Sequence, residues 1–173
     1  LIVDDQTMIR TGIIQMLNTQ DVFIPIITEA CNGNEAYEAF HKNKFDVVIM
    51  DIRMPKSDGI SALKRIRNQN SSIPVLMMSV YSEERTIKNV IEHKGNGFLT
   101  KDAGIEELVE AISTVISGQQ YYSNAITQIL IGFNETKKKM IGVEEYLTRR
   151  EWQVLKLIIE ELSHDQIAKE LGI

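Results

Sequence analysis

The chain has 173 residues, 43% of them apolar and 25% charged, and its formal net charge is −5. This composition is typical of a globular protein with one good core and room for a second small domain. It excludes a membrane-spanning helix, because no apolar run approaches the roughly 18 residues that a span requires. The acidic balance also gives no general indication of nucleic-acid binding.

The cysteine content and the first residues bear on the compartment. Cys31 is the only cysteine, which excludes an internal disulfide and fits a reducing compartment. A catalytic thiol is disfavoured because Cys31 has no evident base partner nearby. Residues 1–5 lack the basic start of a signal peptide. We therefore expect a cytoplasmic protein that makes no membrane contact.

Apolar runs and helical spacing alternate along the first 118 residues. Strands are predicted at 1–3, 24–28, 47–50, 75–78 and 97–100, and helices at 7–18, 35–41, 59–67, 83–94 and 105–117. Pro25 is awkward inside the second strand, which must begin after it or lie at an edge of the sheet. The alternation predicts a flavodoxin-like α/β domain over residues 1–118. Its five-stranded parallel sheet would be covered by helices on both faces.

The pattern changes after Gly118. Residues 119–147 are predicted to form a linker that contains one helix at 124–133. The polar part of this linker carries three consecutive lysines, Lys137 to Lys139, which we interpret as solvated rather than as a binding patch.

The last 26 residues are helical, with two clear starts. Thr148 and Glu151 have the spacing of a capping box, as do Ser163 and Gln166, and Gly172 is a typical helix stop. Two helices joined by a tight turn predict a small all-α domain over residues 148–173. Both ends of the chain are interpreted as cut, since Leu1 opens within a strand and the helical domain is incomplete.

Polar side chains follow four of the predicted parallel strands. Asp4 and Asp5 follow the first strand, Asp51 the third, Ser79 the fourth and Lys101 the fifth. Because the carboxyl ends of parallel strands share one edge of a sheet, we expect these side chains to meet in one pocket.

The chemistry of this set points to phosphate. Three carboxylates repel one another unless a cation lies between them, and Mg²⁺ prefers oxygen ligands. A lysine ammonium and a serine hydroxyl suit a phosphoryl group, and an aspartate can itself accept one as an acyl phosphate. Each residue alone has an ordinary explanation as a cap, a turn or a surface charge. The conjunction predicts a phosphoryl-transfer site.

These motifs resemble a known family. The receiver domain of bacterial two-component response regulators is similar to residues 1–118 in the pair Asp4-Asp5, the run Asp51-x-x-Met54-Pro55-x-x-Asp58-Gly59, Ser79 and Phe98-x-x-Lys101. The start of a LuxR-type helix-turn-helix domain is similar to Leu147-Thr148-Arg149-Arg150-Glu151-x-x-Val154-Leu155 and Leu162-Ser163-x-x-Gln166-Ile167-Ala168-x-x-Leu171-Gly172-Ile173. Together they are typical of the NarL/FixJ subfamily of transcription factors.

The resemblance implies roles at the acidic cluster. Asp51 would accept the phosphoryl group from a sensor histidine kinase. Asp5 would bind Mg²⁺ directly and Asp4 largely through water, while the backbone carbonyl of Arg53 would complete the protein ligands. The protein would act as a switch and not as an enzyme in its own right.

The resemblance also implies the moving parts. Ser79 and Lys101 would contact the bound phosphoryl group, and Phe98 would be the switch aromatic, turning inward as Ser79 moves toward the phosphate. For the phosphorylation-linked homodimer that the resemblance implies, the helices at 7–18 and 105–117 are one candidate surface. The alternative that their apolar stripes face the sheet stays open.

Binding to promoter DNA is implied only by the C-terminal resemblance. The recognition helix, which enters the major groove in such proteins, is expected beyond Ile173. Residues 148–173 hold four Lys or Arg against five Asp or Glu. No residue is therefore assigned to DNA.

Two other hypotheses for the function of this chain are considered. A phosphohydrolase of the haloacid dehalogenase type also uses an aspartate nucleophile and magnesium, but it needs a second aspartate where this chain has Arg53. A receiver-like interaction module that never takes phosphate would be expected to lack part of the acidic cluster or the lysine, and this chain has both.

Overall fold

A six-stranded parallel sheet forms the centre of the N-terminal part of the protein. The computed structural model describes residues 1–20, 25–69, 72–81, 83–132, 148–159 and 162–172. The strands are β1 (Ile2–Val3), β2 (Glu29–Ala30), β3 (Val48–Asp51), β4 (Val75–Ser79), β5 (Gly97–Thr100) and β6 (Tyr121–Tyr122). Their order across the sheet is β2-β1-β3-β4-β5-β6, and every neighbouring pair is parallel. The predicted parallel α/β fold is confirmed, with one strand more than the five expected.

The additional strand, β6, lies within the stretch predicted as a linker. The amide of Tyr121 donates to the carbonyl of Asn96 at 3.0 Å, and the amide of Ser123 donates to that of Phe98 at 3.1 Å. Two residues are too few to show a period in sequence, so backbone pairing with β5 alone defines this strand.

The second strand is shifted from its predicted place. The described part of the predicted 24–28 segment, residues 25–28, is not in a strand, and β2 begins at Glu29. Pro25 has no N–H to donate to a sheet. The preceding segment still approaches the sheet, because the amide of Ile2 donates to the carbonyl of Thr28 at 2.9 Å.

Helices follow the strands as expected. They are α1 (Thr7–Asn18), α2 (Gly33–Lys42), α3 (Gly59–Gln69), α4 (Glu84–Glu92) and α5 (Ile105–Ile116). A further helix, α6, covers residues 124–132 of the described chain. Among the described helices, none has both the length and the apolar character needed to cross a membrane.

The core lies on both faces of the central strands. Every residue of β3 and β4 is buried, which explains why these strands are almost continuous apolar runs. One face is covered by α1 and α5 through Ile13, Leu17, Leu108 and Ile112. This packing holds the carboxyl ends of β1, β3, β4 and β5 along one edge.

The chain divides into two compact units, Leu1–Ile129 and Leu130–Ile173. In the second unit the described elements are α7 (Arg149–Ile159) and α8 (His164–Leu171). The predicted lysine run, Lys137 to Lys139, lies outside the described residues.

Both predicted capping boxes of the second unit are confirmed. The amide of Thr148 donates to Oε2 of Glu151 at 2.9 Å, and the Glu151 amide donates back to Oγ1 of Thr148 at 3.3 Å. Ser163 and Gln166 form the same reciprocal pair. Gly172 ends α8 with φ 66°, the left-handed conformation that glycine adopts without cost.

Candidate functional site

The predicted site residues lie at the carboxyl ends of four neighbouring strands. Asp4 and Asp5 follow β1, Asp51 ends β3, Ser79 ends β4 and Lys101 follows β5. Asp51 is in register with Met78, next to Ser79, and Ser79 is in register with Thr100, next to Lys101. The register alone therefore places the side chains of Asp51, Ser79 and Lys101 in neighbouring positions on one edge of the sheet.

Lys101 joins two of the carboxylates. Its Nζ atom lies 2.6 Å from Oδ2 of Asp4 and 2.9 Å from Oδ2 of Asp51. All three side chains are at most 5% exposed. Ion pairs shielded from water to this degree attract more strongly than surface pairs but cost more to desolvate, and removal of one member is strongly destabilising.

Burial and charge shift the ionisation of this pair. Burial raises the pKa of Asp51 above its ordinary value, against the opposing hydrogen bond and charge of Lys101. Burial lowers the pKa of Lys101, but the two ion pairs outweigh it and leave that pKa raised. The lysine is therefore firmly charged, while Asp51 is a carboxylate held in a poorly solvated place.

The carboxylate of Asp4 is already fully engaged. Its Oδ1 accepts from the amide of Gln6 at 2.8 Å and its Oδ2 is paired with Lys101. By contrast, Oδ1 of Asp5 is buried and has no hydrogen-bond partner. An unpaired buried carboxylate oxygen is energetically costly and indicates a missing cation or donor.

The three acids fit a divalent cation. Oxygens of Asp4, Asp5 and Asp51 lie within 4.8 Å of one another. Hard oxygen ligands with net negative charge are what Mg²⁺ requires, and one such ion would satisfy the unpaired Asp5 oxygen. Asp5 and Asp51 have the chemistry to hold it directly, whereas the engaged Asp4 is better suited to an indirect contact through water.

Gly59 brings the loop after β3 against Asp51. Its amide donates to the carbonyl of Ile52 at 2.9 Å. A Cβ atom at this position would overlap the carbonyl oxygen of Asp51. The close approach requires glycine here and fixes the loop that follows Asp51.

The side chain of Arg53 crosses to the next loop. Its Nη2 atom lies 2.6 Å from Oε1 of Glu83, and its guanidinium lies 4.5 Å from the centre of the Tyr81 ring. The Arg53 amide makes a long contact of 3.4 Å with Oδ1 of Asp51. The side chain at this position is therefore a guanidinium and not the carboxylic acid that a haloacid dehalogenase needs as its general acid.

Ser79 is buried, and its hydroxyl oxygen accepts from the amide of Tyr81 at 3.1 Å. The amide of Lys101 donates to the Ser79 carbonyl at 3.0 Å, which ties the two strand ends together. Phe98, on β5, is fully buried. The ring expected to turn inward on phosphorylation is thus already inside the core.

Sequence reasoning missed one residue beside the acids. Arg10, on α1, donates from Nη1 to the carbonyl of Asp4 at 2.8 Å. It was not recognisable as part of the site because a basic residue on an amphipathic helix is ordinarily a solvated surface charge. Its position in the first turn of the helix that follows an acidic strand end is the signal that could have found it.

Comparison with known proteins supports the two family resemblances that the sequence motifs indicated. A family model for the response regulator receiver domain matches residues 1–113, and one for bacterial regulatory proteins of the luxR family matches residues 145–173. The transcriptional regulatory protein LnrK of Bacillus subtilis (strain 168) is 32% identical over 181 residues, covering 100% of this chain and 82% of LnrK. The nitrate/nitrite response regulator protein NarL of Escherichia coli (strain K12) is 29% identical over 174 residues, covering 100% and 80%.

A solved structure agrees with the fold. The RcsB response regulator of Salmonella typhimurium, studied for its conformational dynamism in DNA interaction, aligns with a TM-score of 0.72 and 21% identity. The alignment covers 99% of this chain and 82% of RcsB. At this identity the likeness concerns the fold alone.

Proposed function

Because this chain belongs to the two-component response regulators of NarL/FixJ type, with a receiver domain and a LuxR-type DNA-binding region, we propose that Asp51 is its phosphoacceptor. The donor is a phosphohistidine of a sensor histidine kinase. The observation that carries the proposal is the cluster itself: Lys101 paired with Asp4 and Asp51, beside an Asp5 oxygen that lacks a partner.

The proposed transfer is a displacement at phosphorus. An Asp51 oxygen forms the new P–O bond, the P–N bond to the donor imidazole breaks, and the imidazole leaves with the bonding electron pair and takes up a proton. Oδ2 of Asp51 is held by Lys101, whereas Oδ1 receives only the long contact from the Arg53 amide. We therefore assign the attack to Oδ1.

The surrounding groups neutralise charge during this step. Lys101 stays ionised, and its ammonium can donate to a phosphoryl oxygen. The Ser79 hydroxyl can donate to another. Mg²⁺ would be held by Asp5, Asp51 and the Arg53 carbonyl, with Asp4 acting through water. When bound, the ion withdraws charge from the phosphoryl oxygens.

The consequence of phosphorylation is a shift between conformations. A phosphoryl group on Asp51 offers the Ser79 hydroxyl an acceptor for its own proton, whereas in the resting contact with Tyr81 the hydroxyl oxygen only accepts from the Tyr81 amide. Ser79 then moves, and the face formed by the ends of β4 and β5 changes. We retain Phe98 as the apolar group behind this movement, although its ring is buried before any phosphoryl group binds.

Two copies of the protein are proposed to associate through α1 and α5. Met8 on α1 is 88% exposed, and Ile116 on α5 is 49% exposed. Sedimentation of the phosphorylated protein should show a dimer that Met8→Glu weakens. Ile26→Glu is the matched control, since Ile26 is 97% exposed but lies outside both helices.

DNA binding is proposed for the LuxR-type region, where α7 and α8 are the described helices. Phosphorylation would make the protein a better binder of promoter DNA and so alter transcription, and it would act in the cytoplasm. The chain would be a switch that carries one phosphoryl group and not an enzyme that turns over an external substrate.

The intact mass tests the phosphoacceptor. The protein is incubated with a small phosphodonor, with and without Mg²⁺, alongside Asp51→Ala and Asp46→Ala. Asp46 is an exposed aspartate that precedes the opposite end of β3. We expect one phosphoryl adduct that needs Mg²⁺ and Asp51 but not Asp46. An adduct on Asp51→Ala, or none on the wild type, would contradict the proposal; the latter would favour a module that never takes phosphate.

A further inference from the structure

Arg10 connects three segments next to the acidic cluster. Its side chain is only 12% exposed, and Nε lies 2.8 Å from Oε2 of Glu29 on β2. Nη1 donates to the carbonyl of Asp4 at 2.8 Å, and Nη2 donates to Oγ1 of Thr7 at 3.3 Å. All three guanidinium nitrogens are thus in use, each on a different segment, which fixes the plane of the group.

The carbonyl that Arg10 holds belongs to the peptide between Asp4 and Asp5. A peptide unit is planar, so fixing its oxygen also fixes the direction of the N–Cα bond of Asp5. The Asp4 side of this peptide is already held, since the Asp4 amide donates to the carbonyl of Ala30 at 3.1 Å. Arg10 adds a constraint on how Asp5 leaves the strand, beside the Gln6 amide that donates to Oδ1 of Asp4.

The direction of the Asp5 side chain matters because its carboxylate, unlike that of Asp4, has an oxygen without a hydrogen-bond partner. Oδ1 of Asp5 is buried without a hydrogen-bond partner, whereas both oxygens of Asp4 are engaged. The part of the chain that the structure describes gives that Asp5 oxygen no donor to orient it. Its direction therefore depends on the backbone.

We propose that Arg10 is a positioning residue for the Mg²⁺ site, which sets the Asp4–Asp5 peptide through the Asp4 carbonyl and so aims the Asp5 carboxylate at the ion. This inference rests on the proposed function, which makes Asp5 a direct ligand. It adds a residue that touches neither the ion nor the phosphoryl group.

Charge alone predicts the opposite effect. A guanidinium close to the acids repels a cation, so removing its charge should strengthen Mg²⁺ binding. Positioning predicts that removing it weakens binding, because the carboxylate loses its preset direction. It also predicts that lysine, which keeps the charge but has no planar fork, cannot fully replace arginine. The sign of the change in affinity therefore separates the two explanations.

The test is calorimetric titration of the unphosphorylated protein with Mg²⁺. The variants are Arg10→Gln, Arg10→Lys and, as a control, Arg65→Gln. Arg65 lies on α3, 3.7 Å from the centre of the Tyr37 ring, and donates to Asn34 at 2.8 Å. The control makes the same charge change in a guanidinium that contacts another part of the surface.

We expect Mg²⁺ to bind about tenfold more weakly to both Arg10 variants, the low end for residues that orient metal ligands. Arg65→Gln should bind as the wild type does. At saturating Mg²⁺ the phosphorylation rate of the Arg10 variants should return to the wild-type rate, because positioning affects ion affinity and not the transfer itself. In NMR spectra recorded without Mg²⁺, the signal of the Gln6 amide, which donates to Asp4, should differ in chemical shift between the Arg10 variants and the wild type.

Other outcomes overturn the inference. Tighter binding to Arg10→Gln with unchanged Arg10→Lys would show that Arg10 acts by charge. Unchanged affinity in both, with a lower melting temperature, would show a merely structural role. Arg10→Lys carries the test if Arg10→Gln does not fold.

Failure of the proposed function has a different signature. If the wild type binds no Mg²⁺, or Asp5→Asn binds it equally well, the metal assignment fails and this inference fails with it. If Asp5→Asn loses the ion while the Arg10 variants retain wild-type affinity, only the role of Arg10 is wrong.

Discussion

Nζ of Lys101 lies 2.9 Å from Oδ2 of Asp51, in a contact where neither side chain is more than 5% exposed. The same ammonium lies 2.6 Å from Asp4. One buried positive charge thus pairs with two buried negative charges and leaves the three groups with a net negative charge. Lys101 therefore stabilises the resting protein in addition to its proposed contact with the phosphoryl group.

Replacing Lys101 by methionine should lower the free energy of unfolding by about 3 kcal/mol at neutral pH without metal. The substitution leaves two buried carboxylates unpaired, and removal of one partner of a buried ion pair typically costs this much. Mg²⁺ should restore part of the loss, since the ion binds the folded acids. Urea unfolding with and without Mg²⁺ measures both effects. Lys64→Met, at an exposed position of α3, should change stability little; an equal loss there would refute the explanation.

Asp51→Asn should gain stability relative to the wild type as the pH rises. Burial raises the folded-state pKa of Asp51 above its ordinary value of 3.8. At a pH below that ordinary value the carboxyl is protonated in both the folded and the unfolded state, so its ionisation does not change the free energy of unfolding. As the pH rises through the folded pKa, the wild type must ionise a buried group and loses stability.

The measurement is urea unfolding of both proteins in EDTA between about pH 4 and about pH 7. The difference in unfolding free energy should grow in favour of Asp51→Asn as the pH rises from the ordinary pKa of Asp51 to its folded pKa, and should level off above the folded pKa. A difference that is constant, or that moves toward the wild type with rising pH, would show that Lys101 outweighs the effect of burial.

Gly59→Ala should destabilise the receiver by at least about 2 kcal/mol, since its Cβ would overlap the carbonyl of Asp51 and force the loop away. Gly12→Ala is the matched control. Gly12 lies within α1 with open space around it, and there alanine should stabilise the helix by about 0.5–1 kcal/mol. Opposite signs in chemical denaturation are the expected result, and a loss at both positions would mean that the contact at Gly59 is not the cause.

Cys31 should react slowly with thiol reagents despite being partly exposed. Its Sγ lies 2.9 Å from both carboxylate oxygens of Glu35, and this hydrogen bond raises the pKa of the thiol. Less thiolate is then present at pH 8 than in free cysteine. Glu35→Gln should accelerate the reaction with Ellman's reagent, while Glu38→Gln, on the same helix, should not. Fast reaction of the wild type would reopen the possibility of a functional thiol.

The sequence predicted the acidic cluster because strand ends are readable. The buried runs of β3 and β4 have an unmistakable composition, and parallel strands bring their carboxyl ends together whatever the loops do. Asp51 and Lys101 could therefore be placed beside each other from sequence. The pairing of Lys101 with Asp4 as well could not, because it depends on side-chain conformation.

The features that were missed depend on partners distant in sequence. Tyr121 and Tyr122 become a strand only because β5 offers unpaired backbone groups. The shift of β2 to Glu29 depends on its alignment with β1. Arg10 follows the pattern of an ordinary surface residue, and only the fold shows that a backbone carbonyl accepts its hydrogen bond.

The outermost strands, β2 and β6, are two residues long each. A long exposed strand is a template on which other chains can add β-structure and aggregate, and very short edges are a common natural protection against it. We therefore expect the edges of this sheet to be poor templates for fibril growth or strand exchange when the protein is concentrated. The proposed dimerisation through α1 and α5 would then depend on helix surfaces, where a single side-chain change can alter it.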